Sequence, residues 1–361
     1  MRNWKNYIVA IFLSPFTFLY WLAVVIRHFL YDSGIKKSQS FSIPIICVGN
    51  ITVGGTGKTP HIEYLIRLLN EEYKVAVLSR GYKRQTSGFL KATIDSTAEE
   101  IGDEPRQLKQ KFSNVEVAVD EDRVEGVAQL LNEVEKPEVV LLDDAFQHRK
   151  IRPGFNILLV DYSRPLLNDI MLPAGRLRDA VNQRRRADVI VITKCSANLD
   201  IEEKSEWENK YRTRPDQKVF FTYMIYEEAV PIFLSQKPIT LKDIKDQKIS
   251  VLLVTGIANP KPLKEILLQY SENVILLKFP DHHAFSLKDI SKIYDQYNAM
   301  KSLGKIIVTT EKDATRLQPF FDEINKLDLP IYTIPIKVDF LFDDSGQFNA
   351  LIRKFCHHAN K

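Results

Sequence analysis

The chain has 361 residues, 45% apolar and 27% charged, which is enough for two globular domains and argues against a disordered chain. Cys47, Cys195 and Cys356 are scattered without CxxC spacing, so they read as reduced thiols and not as a disulfide framework or a structural zinc site. The net charge is +4, and residues 1–40 hold all of it, with Arg2, Lys5, Arg27, Lys36 and Lys37 against Asp32; the neutral remainder lacks the overall basic excess of a nucleic-acid binder.

The same N-terminal stretch contains Tyr7–Ile26, 20 residues without a charge, with Trp4 just before it and Trp21 inside it. Its length suffices to span a bilayer, and its basic flanks equally suit an anionic membrane surface. A third reading is a buried structural helix. Pro15 sits mid-segment, where it is expected to kink a helix. The segment lacks an obvious small-residue cleavage site and leads into a nucleotide fold, which argues against a signal peptide.

Beyond a polar linker, apolar runs alternate with amphipathic stretches. The runs are Ile45–Val48, Val75–Leu78, Val115–Val119, Val139–Leu142, Ile157–Val160 and Val189–Ile192; helical patterns cover His61–Leu69, Glu104–Phe112 and Asp122–Leu131. Continuous Val/Ile/Leu runs suit strands buried on both faces, and their alternation with helices implies a parallel sheet. The polar stretch Glu202–Gln217 is expected to close this domain, with Val219–Tyr226 and Val230–Leu234 as connecting strands. A second α/β pattern follows, with strands at Val251–Val254, Val274–Phe279, Ile306–Thr309 and Ile331–Ile334, and helices at Pro262–Tyr270, Ser286–Met300 and Ser345–Phe355. The expected division is residues 1–40 as a membrane-associated helix and linker, 41–217 as a nucleotide-binding domain, 218–235 as connecting strands, and 236–361 as a smaller α/β domain.

The strongest motif lies between the first strand and the first amphipathic helix: Gly49-Asn50-Ile51-Thr52-Val53-Gly54-Gly55-Thr56-Gly57-Lys58-Thr59-Pro60. Strand, glycine-rich loop, Gly-Lys-Thr and helix in that order make a P-loop. Thr52, Val53, Gly54, Gly55, Thr56 and Gly57 would cradle phosphate oxygens through backbone N–H groups. Lys58 would reach the β- and γ-phosphates, and the Thr59 hydroxyl would hold Mg²⁺. Thr52 stands where the standard pattern has glycine. The run Val139–Leu142 ends in Asp143-Asp144, placing a carboxylate at a strand end for the metal, with the choice between the two open. Val191-Ile192-Thr193-Lys194-Cys195-Ser196 lacks the terminal Asp of a guanine-binding Asn-Lys-x-Asp, which favours ATP. The fold class is therefore α/β: a P-loop NTPase-type parallel-sheet domain with an N-terminal apolar helix and a second, smaller α/β domain.

Further motifs make the pattern specific. SRGY (79–82), GDEP (102–105), DDAFQHR (143–149), LPAGRLRD (172–179), FPDHHAF (279–285) and TTEKDATRL (309–317) follow VGNITVGGTGKTP (48–60) in order. In these motifs the chain resembles the tetraacyldisaccharide 4'-kinases, the lipid A pathway kinases. Ala145 stands where many relatives have glycine, and Asp179 where many have glutamate, shortening that side chain's reach.

The resemblance implies transfer of the ATP γ-phosphate to the 4'-hydroxyl of a tetraacyldisaccharide 1-phosphate, with ATP and Mg²⁺ as cofactors. It implies a lipid substrate, a membrane surface held by the N-terminal helix, no nucleic-acid or protein partner, and a place on the cytoplasmic face of the inner membrane. It assigns catalysis to Asp103 and His282, besides Lys58. A carboxylate–imidazole pair can take the proton of an attacking sugar hydroxyl. From the residues alone, GDEP reads equally as a helix start with Asp103 as N-cap, and His282 and His283 as a surface loop in which at most one faces a site. Gln147 and Arg178 are candidates for support of the metal or grip on substrate. His148 reads as structural, and Arg184–Arg186 as a solvated or membrane-facing patch. Lys312 and Asp313 either close over nucleotide or form an exposed ion pair. Two other functions fit a P-loop protein with an apolar helix: a membrane-associated ATPase switch, and a cytosolic small-molecule kinase.

Overall fold

The computed structural model describes residues 4–233 and 236–359; Arg2 and the end of the Val230–Leu234 run fall outside them. By contacts the chain divides into two compact units, Met1–Met224 with Val338–Lys361, and Ile225–Lys337.

The first unit begins with α1 (Trp4–Asp32), 29 residues that run through Pro15 without a break in the helix assignment. Then follow β1 (Ile45–Gly49), α2 (Lys58–Leu69), β2 (Val75–Ser79), β3 (Leu90–Lys91), α3 (Ala98–Ile101), α4 (Asp103–Lys111), β4 (Glu116–Val119), α5 (Arg123–Asn132), β5 (Val139–Asp143), β6 (Phe155–Asp161), β7 (Val189–Thr193), α6 (Ile201–Tyr211) and β8 (Lys218–Tyr226). The second unit carries β9 (Val230–Pro231), α7 (Leu241–Asp246), β10 (Ser250–Thr255), α8 (Lys261–Leu267), β11 (Val274–Lys278), α9 (Leu287–Ala299), β12 (Lys305–Thr309), α10 (Glu311–Leu317), α11 (Phe321–Lys326) and β13 (Ile331–Thr333). The chain ends with β14 (Ile336–Phe340) and α12 (Ser345–Ala359).

The large sheet has the order β14-β8-β7-β6-β1-β5-β2-β4-β3. Its central pairs are parallel, and β3 runs antiparallel against β4. Strands β1, β2, β5 and β7 are buried along their whole length, as their unbroken Val/Ile/Leu sequences require in a sheet covered on both faces. β1 lies between β6 and β5, and Val48 pairs with Asp143. The loop after β1 and the acids ending β5 therefore emerge side by side at the carboxyl edge, where ligands bind in open α/β sheets. The second sheet, β11-β10-β12-β13-β9, is parallel except for β9.

Two features differ from expectation. β8 is not a connector but pairs with β7 in the large sheet. The C-terminal helix does not belong to the second unit: Phe348, Ile352 and Cys356 of α12 are buried with Ile46, Ile62 and Ile66, and Phe348 packs edge-on against Tyr64 and Phe220. The helix covers one face of the large sheet beside α2, so contacts and not chain order set its unit. Of the three readings of the N-terminal segment, the exposure of α1 argues against the buried structural helix. Phe12 is 78% exposed, Leu19 60% and Phe29 64%, whereas only Val24 and His28 are fully buried in its described part.

Candidate active site

Four successive carbonyls of the phosphate loop are tied to its surroundings. Asn50 Nδ2 lies 3.5 Å from Gly54 O, Lys194 Nζ donates to Gly55 O, Thr193 Oγ1 donates to Thr56 O at 2.9 Å, and His61 Nδ1 donates to Gly57 O at 2.7 Å. In a planar trans peptide the next N–H points opposite the carbonyl. Holding these carbonyls outward therefore turns the amides of Gly55, Thr56, Gly57 and Lys58 into the loop, at the N-terminus of α2. Gly54 and Gly57 have φ of 104° and 86°, which only glycine adopts without strain. Thr52 is not among the positive-φ residues, so its departure from glycine needs no compensation. It forms a bridge to Leu177, and the Val53 amide donates to Arg176 O at 2.8 Å. That bond corrects the expectation for Val53, whose N–H is held by the Arg176 strand-like segment and not turned to a phosphate.

His61, Thr193 and Lys194 were not expected as site residues. Burial above all pushes the His61 imidazole down to about 4, so it is neutral; Nδ1–H donates to Gly57 and Nε2 lies 3.2 Å from Thr222 Oγ1. Its place four residues after Gly57, in the first turn of α2, was the available signal. Lys194 also pairs with Asp161 at 2.9 Å, so the lysine of the Thr193-Lys194-Cys195-Ser196 run is a brace of the loop.

At the end of β5 the two acids separate. Asp144 takes a two-pronged ion pair from Arg178, one bond at 2.9 Å, and lies 3.7 Å from Lys58 Nζ. Burial opposes its charge, but Lys58 and Arg178 outweigh that and hold the carboxyl below the usual range. Asp143 accepts from Ser79 Oγ at 3.1 Å through Oδ2, while Oδ1 is buried with no hydrogen-bond partner among the described residues. Burial first, then the Asp144 charge, raises it to about 6; Glu104 in the first turn of α4 adds to the repulsion. Arg178 Nη2 and Gln147 Nε2 both donate to Asn50 O, at 3.1 and 2.7 Å. The structure thus brings Lys58, Asp143, Asp144, Gln147 and Arg178 together around the loop.

Asp103 opens α4, with Gly102 at φ 91° as the N-cap position and no capping side-chain bond, so the N-cap reading of Asp103 does not hold. His148 lies 3.5 Å from Asp122. The Arg184–Arg186 run is not one solvated patch: Arg186 lies over the Phe146 ring at 4.2 Å and donates to Phe146 O, Arg184 binds Tyr211 O, and only Arg185 is exposed, paired with Asp32. Asp179 is fully buried against His28 at 2.6 Å.

In the second unit, His282 follows β11 with φ 60°, its amide bonded to Gly256 O at 3.1 Å. Arg316 Nη2 lies 3.2 Å from its Nδ1 and Lys312 Nζ 3.5 Å from its Nε2. Asp313 is wholly buried and accepts from Thr255, Gly256, Thr310 and Arg316, so it is not an exposed partner of Lys312. His283 turns the other way, stacked on Phe279 and bonded to Asp289 at 3.1 Å. Of the neighbouring histidines only His282 is set among the polar groups of α10.

The loop from Asp169 to Val181 also faces α1. With Thr17, Phe18 and Trp21 it walls an apolar cleft of about 460 Å³, to which it contributes Ile170, Met171 and Leu177.

The chain is similar to known proteins over nearly its whole length. The family described as tetraacyldisaccharide-1-P 4'-kinase, LpxK, matches residues 9–357. The tetraacyldisaccharide 4'-kinase of Phocaeicola vulgatus is 46% identical over 347 residues, covering 95% of this chain and 94% of the relative. That of Parabacteroides distasonis is 47% identical over 345 residues, covering 95% and 93%. The crystal structure of Aquifex aeolicus LpxK in complex with ATP superposes with a TM-score of 0.73 at 29% identity, covering 96% of this chain and 99% of that one. A match over nearly the whole chain, with the phosphate loop and both acids in place, means that this protein belongs to the tetraacyldisaccharide-1-P 4'-kinase family.

Proposed function

We propose that this protein transfers the γ-phosphate of ATP to the 4'-hydroxyl of a tetraacyldisaccharide 1-phosphate, giving the 1,4'-bisphosphate of lipid A biosynthesis. One observation carries the lipid acceptor. The loop that sends Arg178 to Asp144 beside the phosphate cradle also walls the apolar cleft against α1. A single segment therefore serves both a phosphate and an acyl chain.

The inward amides of the loop and Lys58 bind the triphosphate, and Arg178 lies where it can neutralise charge on the transferring group. Mg²⁺ fits the residues present. Asp143 offers a buried, unpartnered Oδ1 whose charge is disfavoured without a cation, whereas both oxygens of Asp144 are engaged by Arg178 and Lys58. Asp143 with the Thr59 hydroxyl is the better pair of ligands. The ion would supply Lewis-acid stabilisation of phosphate charge. Asp103 and His282 are proposed to handle the proton of the acceptor hydroxyl.

The exposed apolar face of α1 would hold the protein on the membrane, and the use of ATP supports a body on the cytoplasmic side. Incubation with γ-labelled ATP, Mg²⁺ and detergent-dispersed disaccharide lipid tests the reaction. Label in the lipid supports it; nucleotide hydrolysis with no labelled lipid overturns it in favour of an ATPase switch.

A further inference from the structure

One face of α1 is not apolar surface but a polar seam. Thr17, Tyr20, Val24 and His28 recur at helical spacing and form one stripe. Thr17 Oγ1 accepts from Ala174 N at 3.2 Å, Tyr20 OH donates to Arg178 O at 2.9 Å, Val24 is buried, and His28 Nε2 lies 2.6 Å from Asp179 Oδ1. All three polar partners lie in the loop that carries Arg178.

The His28 tautomer follows from its neighbours. Arg149 Nη1 lies 2.9 Å from His28 Nδ1, and a guanidinium can only donate, so Nδ1 accepts. Nε2 then carries the proton and donates to Asp179. Asp179 Oδ1 also receives Ala180 N at 2.9 Å, and Oδ2 faces Arg186 Nη2 at 3.4 Å. Arg149 is itself fixed, by Asp32 at 2.8 Å and by stacking over Tyr31. His28 thus lies between a carboxylate it donates to and an arginine it accepts from, with about 4% of its surface exposed.

We propose that His28 and Tyr20 are positioning residues that seat Arg178 on Asp144: α1 fixes the main chain immediately after the Arg178 side chain, through the Arg178 carbonyl and the adjacent Asp179 carboxylate. Neither residue touches the phosphates. Their contribution to turnover runs through Arg178, and so rests on the phosphate-side role given to Arg178 above. It also gives the short Asp179 a purpose other than reaching substrate, because the carboxylate is turned to the helix.

The test is a double-mutant cycle on lipid phosphorylation, with thermal melting of each variant. H28L removes both bonds and should lower turnover on the order of 10-fold or more. H28Q, which keeps one donor and one acceptor, should recover most of that loss. In the H28L/R178A protein, turnover should be no lower than in R178A alone. Should H28L not fold, Y20F keeps the ring, removes the bond to the Arg178 carbonyl, and runs the same cycle. Losses that multiply in the double variant overturn the positioning role while leaving Arg178 in place. Unchanged turnover in R178A overturns both this inference and the role of Arg178.

Discussion

Asp143 and Asp144 are adjacent in the chain yet are pushed in opposite directions, the first up to about 6 and the second below the ordinary carboxylate range. Arg178 and Lys58 neutralise Asp144, whose residual charge and the surrounding burial then disfavour ionisation of Asp143. Because the folded state holds the Asp143 proton more tightly than the unfolded state, stability from this group falls as pH rises from about 4 to about 6 and stays low above that. A shift of this size is worth on the order of 2–3 kcal/mol. D143N should therefore melt above wild type at pH 8 without nucleotide or Mg²⁺, and the gap should shrink as pH falls towards 4. The same variant should lose Mg²⁺-dependent turnover. Melting curves across pH, with a Mg²⁺ titration of activity, check both halves; a D143N protein with normal Mg²⁺ dependence removes Asp143 from the metal site.

His61 acts on the phosphate loop from behind, through Gly57. H61F keeps much of the buried volume but removes both hydrogen bonds, so the Gly57 carbonyl loses its side-chain donor. The expected result is an ATP KM raised about 5- to 100-fold, corresponding to ~1–3 kcal/mol. The sign with pH is set by the lowered folded value of about 4. The folded state binds the His61 proton less tightly than the unfolded state, so stability from this group is present above about 6.5 and is lost as pH falls towards 4. A melting temperature for H61F that drops as steeply as wild type over that window contradicts the assignment.

Lys58 and His282 should separate binding from chemistry. K58A removes the cation nearest Asp144 and the expected contact to the phosphates, so it should weaken ATP binding as well as turnover. H282A should keep ATP affinity and lose turnover by about 10²–10⁴-fold. Calorimetric ATP binding beside lipid-labelling rates distinguishes the two, and near-normal rates for H282A remove the imidazole from the reaction.

The parallel sheet, the phosphate loop and the acids of β5 were legible because each is a local signal: a buried strand is an unbroken Val/Ile/Leu run, and Gly-Lys-Thr follows one. What escaped was set by contacts distant in sequence. Nothing near Val53 shows that its amide pairs with Arg176, and nothing near Lys194 or Thr193 shows that they brace loop carbonyls more than 130 positions earlier. Arg184–Arg186 looked like a surface patch because composition does not reveal that Phe146 lies under Arg186. The placement of α12 failed for the same reason, since its amphipathic pattern shows that a face is buried but not against which sheet.

That placement has a measurable consequence. Phe348 fills the core of the first unit with Tyr64, Phe220 and Phe340 around it. F348A should destabilise that unit by about 3–5 kcal/mol. Hydrogen exchange should show the loss in β1, α2 and β8, while β10 and β12 keep their protection. Loss confined to the β10–β12 sheet instead contradicts the grouping of α12 with the large sheet.

The two faces of α1 should respond differently to substitution. Thr17, Tyr20 and His28 face the Arg178 loop, whereas Phe12, Phe16 and Leu19 are exposed, at 78%, 58% and 60%. Burying an apolar side chain of this size is worth ~1.5–3 kcal/mol, so three together contribute on the order of one buried acyl anchor, with the N-terminal basic residues as the second membrane signal. The F12S/F16S/L19S protein should keep its melting temperature and its ATP affinity, because all three side chains are exposed. It should no longer sediment with vesicles containing anionic phospholipid, and its KM for vesicle-embedded lipid should rise while activity on detergent-dispersed lipid changes little. Vesicle binding equal to wild type would show that the exposed face of α1 is not what holds the protein to the membrane.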